Sequence, residues 1–153
     1  MALKETLQSD LQNAIKTRDE LVSATLRMAL AAVTNAEVAG KQAKELSDDE
    51  VMAVLDKEAK KRREAAQAYT DANRPDLADR EEAELGVLTA YLPEPLTSEE
   101  VSAIIDEAIA AAAAEGKTGM AAMGPVMQQV TAATKGRADG KTVSGIVRAR
   151  LQG

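Results

Sequence analysis

The apolar positions of this chain are filled almost entirely by aliphatic side chains. The sequence contains no Phe and no Trp, and its aromatic residues are Tyr69 and Tyr91. Apolar residues make up 45% of the chain, and many of them are alanine, the strongest helix former. No stretch alternates polar residues with β-branched or aromatic ones, as a half-buried strand does. We therefore predict an all-α fold.

Two residue types that carry much of enzyme chemistry are absent, because the sequence has no cysteine and no histidine. Disulfides, thiolate metal sites and the Ser–His or Cys–His pairs of many hydrolases are therefore excluded. We predict no catalytic residue, no metal site and no cofactor. Paired acids are expected in first helical turns or on exposed faces: Asp48–Asp49, Glu81–Glu82 and Glu99–Glu100.

Four helices are predicted in an N-terminal domain, residues 1–92. The first is indicated by apolar residues that recur every four positions and would form one stripe: Leu3, Leu7, Leu11 and Ile15. Asp19 can cap the second helix. Gly40 lies just beyond the last apolar position of that helix, where a helix would stop.

The third helix is predicted over 48–73, because Ser47 and Glu50 form a capping box at its start. Pro75 suits the first turn of a fourth helix, 75–91, since a proline there removes no intrahelical hydrogen bond.

Two prolines, Pro93 and Pro95, follow this domain and favour extended backbone. We place a linker at 93–96 and a three-helix C-terminal domain at 97–153. Its first helix opens with a second capping box and ends near residue 115, and its second begins near residue 123. A row of apolar residues at helical spacing is expected to face the core: Met120, Met123, Met127 and Val130.

The stretch KGRADGKTV, residues 135–143, has the glycines, lysine and threonine of a phosphate-binding loop but not their spacing. That loop reads Gly, four residues, Gly, Lys, Ser or Thr after a strand, and here Lys135 stands at the first glycine and a helix precedes. We therefore exclude a nucleoside-triphosphate site. Gly136 is instead expected to be a left-handed helix cap, and Asp139 the N-cap of a last helix, 140–152.

The same stretch belongs to a basic tail. From Gly116 onward the chain has six basic residues and one acidic residue, a net charge of +5, whereas residues 1–115 carry a net charge of −11. Cations beside a helix N-terminus favour an anion such as a backbone phosphate, although a solvated charged surface is the alternative. The candidate RNA-binding residues are Lys135, Arg137, Lys141 and Arg148.

A second basic segment lies in the third helix, at 57–64. Arg62 points to the apolar side and follows Glu58 by four residues, an order that favours an ion pair. We predict a solvated face with one half-buried pair rather than an RNA site, because acids interleave with the cations. The exposed members would be Lys57, Lys60, Lys61 and Glu64.

Two motifs of the C-terminal part are specific in sequence, Met123–Gly124–Pro125–Val126–Met127 and Gly136–Arg137–Ala138–Asp139–Gly140–Lys141. Three further segments accompany them: LRMALAAV at 26–33, RPDLA at 74–78 and YLP at 91–93. At their mutual spacing these motifs resemble the stand-alone YqeY-like proteins of the GatB/YqeY family, over essentially the whole chain.

The resemblance implies a larger helical N-terminal domain and a three-helix C-terminal domain. The latter is similar to the tail of the B subunit of the amidotransferase that turns Glu-tRNA(Gln) into Gln-tRNA(Gln). In that enzyme the tail helps to hold the tRNA, and the chemistry lies in other domains. The resemblance also implies a family label, carbon–nitrogen ligase with glutamine as amido donor, but this chain offers no ATP-binding loop and no glutaminase nucleophile.

Three functions are open from the sequence. The first is binding of tRNA or another structured RNA through the basic tail. The second is a protein–protein adaptor for an amidotransferase or synthetase, without direct RNA contact, and the third is an enzyme in its own right. The start of the chain, MALKETLQSDL, has no apolar core of signal-peptide length. We therefore expect a soluble cytoplasmic protein that does not enter a membrane.

Overall fold

The computed structural model describes residues 2–153, and in that range it contains helices and no strand. The predicted all-α fold is thereby confirmed. The chain divides into two compact units, Met1–Leu92 and Pro93–Gly153. The helices are α1 (Leu3–Lys16), α2 (Glu20–Glu37), α3 (Asp48–Asp71), α4 (Pro75–Thr89), α5 (Ser98–Ala114), a 3-10 helix (Gly119–Ala122), α6 (Met123–Thr134) and α7 (Gly140–Gln152).

Helices α1 to α4 form the first unit, and their starts are set by local capping. The Asp19 carboxylate accepts a hydrogen bond from the Val22 N–H at 3.1 Å, and Ser47 and Glu50 form the predicted capping box. Pro75 is the first residue of α4. Helices α3 and α4 each end two residues earlier than predicted. The core is aliphatic and contains Leu7, Leu26, Ala29, Val33, Val51, Leu55, Ala59 and Leu88.

The predicted apolar stripe of α1 is wrong at its last position. Leu7 is fully buried, but Ile15 is 48% exposed. An α-helix advances about 100° per residue, so each step of four residues overshoots a full turn by about 40°. The overshoot carries Ile15 away from the face that Leu7 buries, and Ala14, 5% exposed, packs inward instead.

Helix α2 ends at Glu37, before Gly40, and the side chain of Glu37 rather than a glycine organises the turn. The backbone at Gly40 is not left-handed. The Glu37 carbonyl oxygen accepts a hydrogen bond from the Lys44 N–H at 3.0 Å, and its Oε2 accepts one from the Leu46 N–H at 3.2 Å. Lys4 Nζ lies 2.7 Å from Glu37 Oε1, so one carboxylate joins α1, α2 and the loop before α3.

One arginine lies between α3 and α4 among three carboxylates. The predicted pair forms, with Arg62 Nη2 at 3.5 Å from Glu58 Oε2. Arg62 Nε also lies 3.3 Å from Glu84 Oε2 and 3.7 Å from Glu81 Oε2. The Glu81 side chain is only 18% exposed, so the prediction that it lies on an exposed face is wrong. It faces Arg62 because α4 packs its acidic side against α3.

Helices α5 to α7 and the 3-10 helix form the second unit. A capping box between Thr97 and Glu100 opens α5, and α6 begins at Met123 with Pro125 in its first turn, as predicted. Proline is tolerated there because the first N–H groups of a helix have no intrahelical acceptor. The buried core of this unit contains Val101, Ile105, Ala108, Ala112, Ala122, Val126, Val130, Val143 and Val147.

The predicted methionine row fails at its first member. Met120 lies in the 3-10 helix and is 48% exposed, whereas Met123 and Met127 are half-buried against the core. A 3-10 helix has about three residues per turn, so a pattern read at 3.6 residues per turn loses its register there.

Candidate functional site

The candidate cations lie around the turn between α6 and α7. The Arg137 N–H donates a hydrogen bond to the Thr134 carbonyl oxygen at 2.9 Å. Lys135 has φ −53° and ψ 124°, and Gly136 has φ +74°. These are the angles of a type II β-turn, which needs a left-handed residue at its third position. Gly136 therefore supplies the predicted left-handed residue, but within a β-turn that follows the helix.

Asp139 fixes the start of α7, as predicted. Its carboxylate accepts hydrogen bonds from the Thr142 N–H at 3.1 Å and from the Thr142 hydroxyl at 2.8 Å. The Val143 N–H donates to the Asp139 carbonyl oxygen at 3.0 Å, which closes the first turn. The positive end of the α7 dipole consequently lies at Gly140, three residues after the β-turn 134–137.

All four candidate residues are exposed. Lys135 and Arg137 belong to the β-turn, and Lys141 is the second residue of α7. Arg148 lies seven residues further, about 10 Å along the helix axis. Within residues 2–153, the side chains of Lys135, Lys141 and Arg148 form no ion pair and no hydrogen bond. The geometry thus brings three cations to one end of α7 and leaves Arg148 further along it.

Arg137 makes two contacts that the sequence did not indicate. Its Nε donates a hydrogen bond to the Glu94 carbonyl oxygen at 3.1 Å. Its carbonyl oxygen accepts one from the Leu96 N–H at 2.8 Å. The segment 94–96, which we expected to be only a linker, is therefore bonded to the β-turn of the second unit. No local pattern could reveal this, because 43 positions separate Glu94 from Arg137.

Arg150 shows how tertiary packing reduces the basic charge of the tail. Its guanidinium donates hydrogen bonds to the Asp106 carboxylate and, at 2.7 Å, to the Ser102 hydroxyl of α5. Counted over Pro93–Gly153, the second unit has six basic and seven acidic residues, a net charge of −1. The net charge of +5 thus describes the segment from Gly116 onward and not the folded second unit. Within residues 2–153, the cations of this segment that have no carboxylate partner define a local basic patch.

The rival basic segment in α3 is more strongly neutralised. Lys61 Nζ lies 3.0 Å from Glu58 Oε1, and Arg62 is held among Glu58, Glu81 and Glu84. Three exposed cations of this segment, Lys57, Lys60 and Arg63, remain without an ion pair in the part of the chain that the structure describes. The β-turn and α7 offer four exposed cations without a carboxylate partner in the same range, and there no unpaired glutamate such as Glu64 lies between them.

Two further properties of the described residues bear on the chemistry of the molecule. Among residues 2–153, no group of three or more Asp or Glu side chains is arranged to hold a metal ion. None of the helices in this range has the length and apolarity that crossing a membrane requires.

Comparison with known proteins identifies relatives over most of the chain. A family profile described as Yqey-like protein matches residues 4–151. The protein named altered inheritance of mitochondria protein 41, mitochondrial, of Pyrenophora tritici-repentis is 33% identical over 133 residues. That match covers 86% of this chain and 71% of the relative.

Other relatives match shorter regions. An uncharacterized protein of Schizosaccharomyces pombe is 34% identical over 93 residues, which cover 60% of this chain and 73% of the relative. Altered inheritance of mitochondria protein 41, mitochondrial, of Meyerozyma guilliermondii is 33% identical over 91 residues. In that case the match covers 60% of this chain and 47% of the relative. These names state no activity, RNA or partner.

Proposed function

The chain belongs to the YqeY family of Yqey-like proteins, and from this premise we propose that it binds the phosphate backbone of structured RNA. The proposed site consists of Lys135 and Arg137 in the β-turn 134–137, Lys141 at the start of α7 and Arg148 further along that helix. The resemblance of the second unit to the tRNA-holding tail of an amidotransferase subunit favours tRNA as the RNA.

One observation carries the proposal, namely the set of exposed cations without carboxylate partners beside the start of α7. Lys135 and Lys141 have no ion pair within residues 2–153, whereas Arg150 of the same unit is bound to Asp106. The Arg137 side chain donates its Nε–H to a carbonyl oxygen and has no carboxylate partner within residues 2–153. Unpaired cations beside the positive end of a helix dipole attract phosphate, and each phosphate contact releases counterions.

The proposed binding is insensitive to base sequence. Residues 93–153 contain no aromatic side chain on which a base could stack. Lysine and arginine contacts to phosphate fix position but carry no sequence information. We therefore expect different tRNAs to bind with similar affinity, and the overall negative charge of the chain to keep that affinity weak at physiological salt.

A salt titration of tRNA binding by fluorescence anisotropy tests this proposal. With three or four phosphate contacts, the logarithm of the binding constant falls with the logarithm of the salt concentration at a slope of about −3. The double variant Arg137→Gln/Lys141→Gln is expected to flatten that slope by nearly two, at about 0.9 for each lost contact. This double variant should weaken the binding of all tRNAs to a similar degree.

The matched control is Lys60→Gln/Lys61→Gln, which removes the same charge from the exposed face of α3. It is expected to leave the slope nearly unchanged. Equal losses in the two double variants would move the site to α3. Absence of tRNA binding at low salt would reject the proposal and favour the alternative of a protein–protein adaptor for an amidotransferase or synthetase.

Two further expectations form part of the proposal. If this chain alone had the ligase activity that the resemblance implies, the purified chain would catalyse glutamine-dependent amidation. We expect no such activity from this chain alone. A cytoplasmic location stays a prediction, and the related fungal proteins carry the word mitochondrial in their names. Fluorescence microscopy of the tagged protein in its own cell would test the location.

A further inference from the structure

The segment Glu94–Leu96 forms two hydrogen bonds with Arg137, one with its side chain and one with its main chain. We name this segment the strap. The Glu94 carbonyl oxygen accepts a hydrogen bond from Arg137 Nε at 3.1 Å. The Leu96 N–H donates to the Arg137 carbonyl oxygen at 2.8 Å. The strap therefore contacts the main chain and the side chain of the same residue.

The strap is stiff and anchored. Pro95 has a fixed φ, and as the residue before a proline Glu94 is restricted to extended backbone. The Leu96 side chain packs against the buried core of the second unit. The position of the Glu94 carbonyl oxygen is consequently set by the core through only two residues.

This contact leaves most of the Arg137 guanidinium available. A guanidinium has five N–H donors in one plane, and Nε supplies one of them. Within residues 2–153, Nη1 and Nη2 of Arg137 donate to no other group. Holding Nε fixes the plane of the guanidinium, so its remaining four donors keep a defined direction. A planar fork of this kind binds two oxygens of one phosphate.

We propose that the strap positions Arg137 for phosphate, and that RNA binding and fixing of the strap strengthen each other. This inference rests on the proposed RNA-binding function. Coupling between two binding events is reciprocal, so an arginine held by phosphate must in turn hold the strap more firmly. Leu96 is thus a positioning residue that acts on RNA through Arg137.

The first test compares two leucines on the same core. Leu96→Ala is expected to weaken tRNA binding about threefold to tenfold, because it loosens the strap. Leu151→Ala is the matched control. Leu151 also packs against this core but lies at the far end of α7, so its loss should change binding less than twofold. Thermal melts show whether both variants remain folded.

A double-mutant cycle separates positioning from a general loss of structure. In the Arg137→Gln background, Leu96→Ala should cause no further loss of affinity, since the arginine that it positions is gone. Equal losses with and without Arg137, or equal losses from Leu96→Ala and Leu151→Ala, would overturn the inference.

Hydrogen exchange of the wild-type chain provides a measurement that needs no variant. Saturating tRNA is expected to slow exchange of the Leu96 N–H by at least about threefold, because this N–H is bonded to Arg137. Binding of tRNA with unchanged exchange at Leu96 would reject the strap and leave the proposed function intact. Failure of wild-type tRNA to bind would reject both.

Discussion

The phenolic hydroxyl of Tyr91 donates a 2.6 Å hydrogen bond to Oδ2 of Asp10, across 81 positions of sequence. Tyr91 follows α4, and Asp10 lies in the middle of α1. The bond therefore joins the end of the first unit to its first helix. Burial, together with the hydrogen bond to Asp10, raises the pKa of Tyr91 above its ordinary value of 10.0.

The hydrogen bond between Tyr91 and Asp10 predicts that the stability of the chain falls at alkaline pH and that part of this fall depends on the Tyr91 hydroxyl. The folded chain keeps the Tyr91 proton at a pH where the unfolded chain loses it, so this contribution to stability is full below pH 10 and declines above it. Tyr91→Phe should lower the free energy of unfolding at pH 7 by about 1 kcal/mol and remove that part of the decline. Urea unfolding at pH 7 and above pH 10 measures both. An unchanged alkaline decline in the variant would contradict this role.

Glu37 should contribute to a loss of folding stability at acid pH. The hydrogen bond from Lys4 lowers the pKa of Glu37 below its ordinary 4.5, and the Leu46 N–H adds to this effect. The contribution is present above pH 4.5 and is lost as the pH falls through the lowered pKa. Glu37→Gln is expected to melt at a lower temperature at pH 7 and to lose less on transfer to acid. Glu64 is exposed and has no ion pair among the described residues, so Glu64→Gln is the control that should behave like the wild type.

Removing Arg62 should be among the most damaging changes in the first unit. Arg62→Met removes the cation that Glu58, Glu81 and Glu84 share. Glu58 then keeps Lys61 and Glu84 keeps Arg80, and within residues 2–153 Glu81 is left without an ion pair. Breaking a buried ion pair from one side costs about 3 kcal/mol or more. The neighbouring Arg63 is exposed and forms no ion pair with another residue of the described range 2–153, so Arg63→Met should change stability by less than about 0.5 kcal/mol. Similar urea midpoints for the two variants would show that the cluster contributes little.

Two glycines of the second unit should respond to alanine with opposite signs. Gly136 has φ +74°, so Gly136→Ala forces a strained backbone and should cost about 1 kcal/mol. Gly145 lies inside α7, where a Cβ meets nothing within 4 Å, so Gly145→Ala should stabilise by about 0.5–1 kcal/mol. Thermal melting of the two variants measures the difference. Equal shifts would argue against the type II turn.

The second unit is expected to fold alone when it retains the strap. A fragment of residues 93–153 keeps both hydrogen bonds between the strap and Arg137 as well as the Leu96 side chain. A domain of this size is only marginally stable, so the loss of a few contacts should measurably lower its melting temperature. The fragment 97–153 should therefore melt at a lower temperature. A fragment 93–153 without a cooperative helical melt would contradict the expectation.

The sequence alone determined the features of this protein that depend on neighbours within one or two helical turns. Helix starts at Asp19, Ser47, Thr97 and Asp139 were predicted because a cap acts on a backbone group three residues away. The all-α class followed from alanine content and the lack of alternation. The four-residue repeat fails at Ile15 because it drifts around the helix, and the methionine row fails at Met120 because the helix type changes there.

Only the tertiary structure decided which charges are neutralised and which remain. Arg62 finds partners on α4, Arg150 finds Asp106 on α5, and Arg137 binds the strap, in the last two cases across 44 and 43 positions. Such pairs depend on the relative placement of helices, which burial of aliphatic faces sets and which no local pattern encodes. The sequence indicated four candidate cations. Within residues 2–153, the packing of the second unit gives a side-chain hydrogen bond to one of them, Arg137.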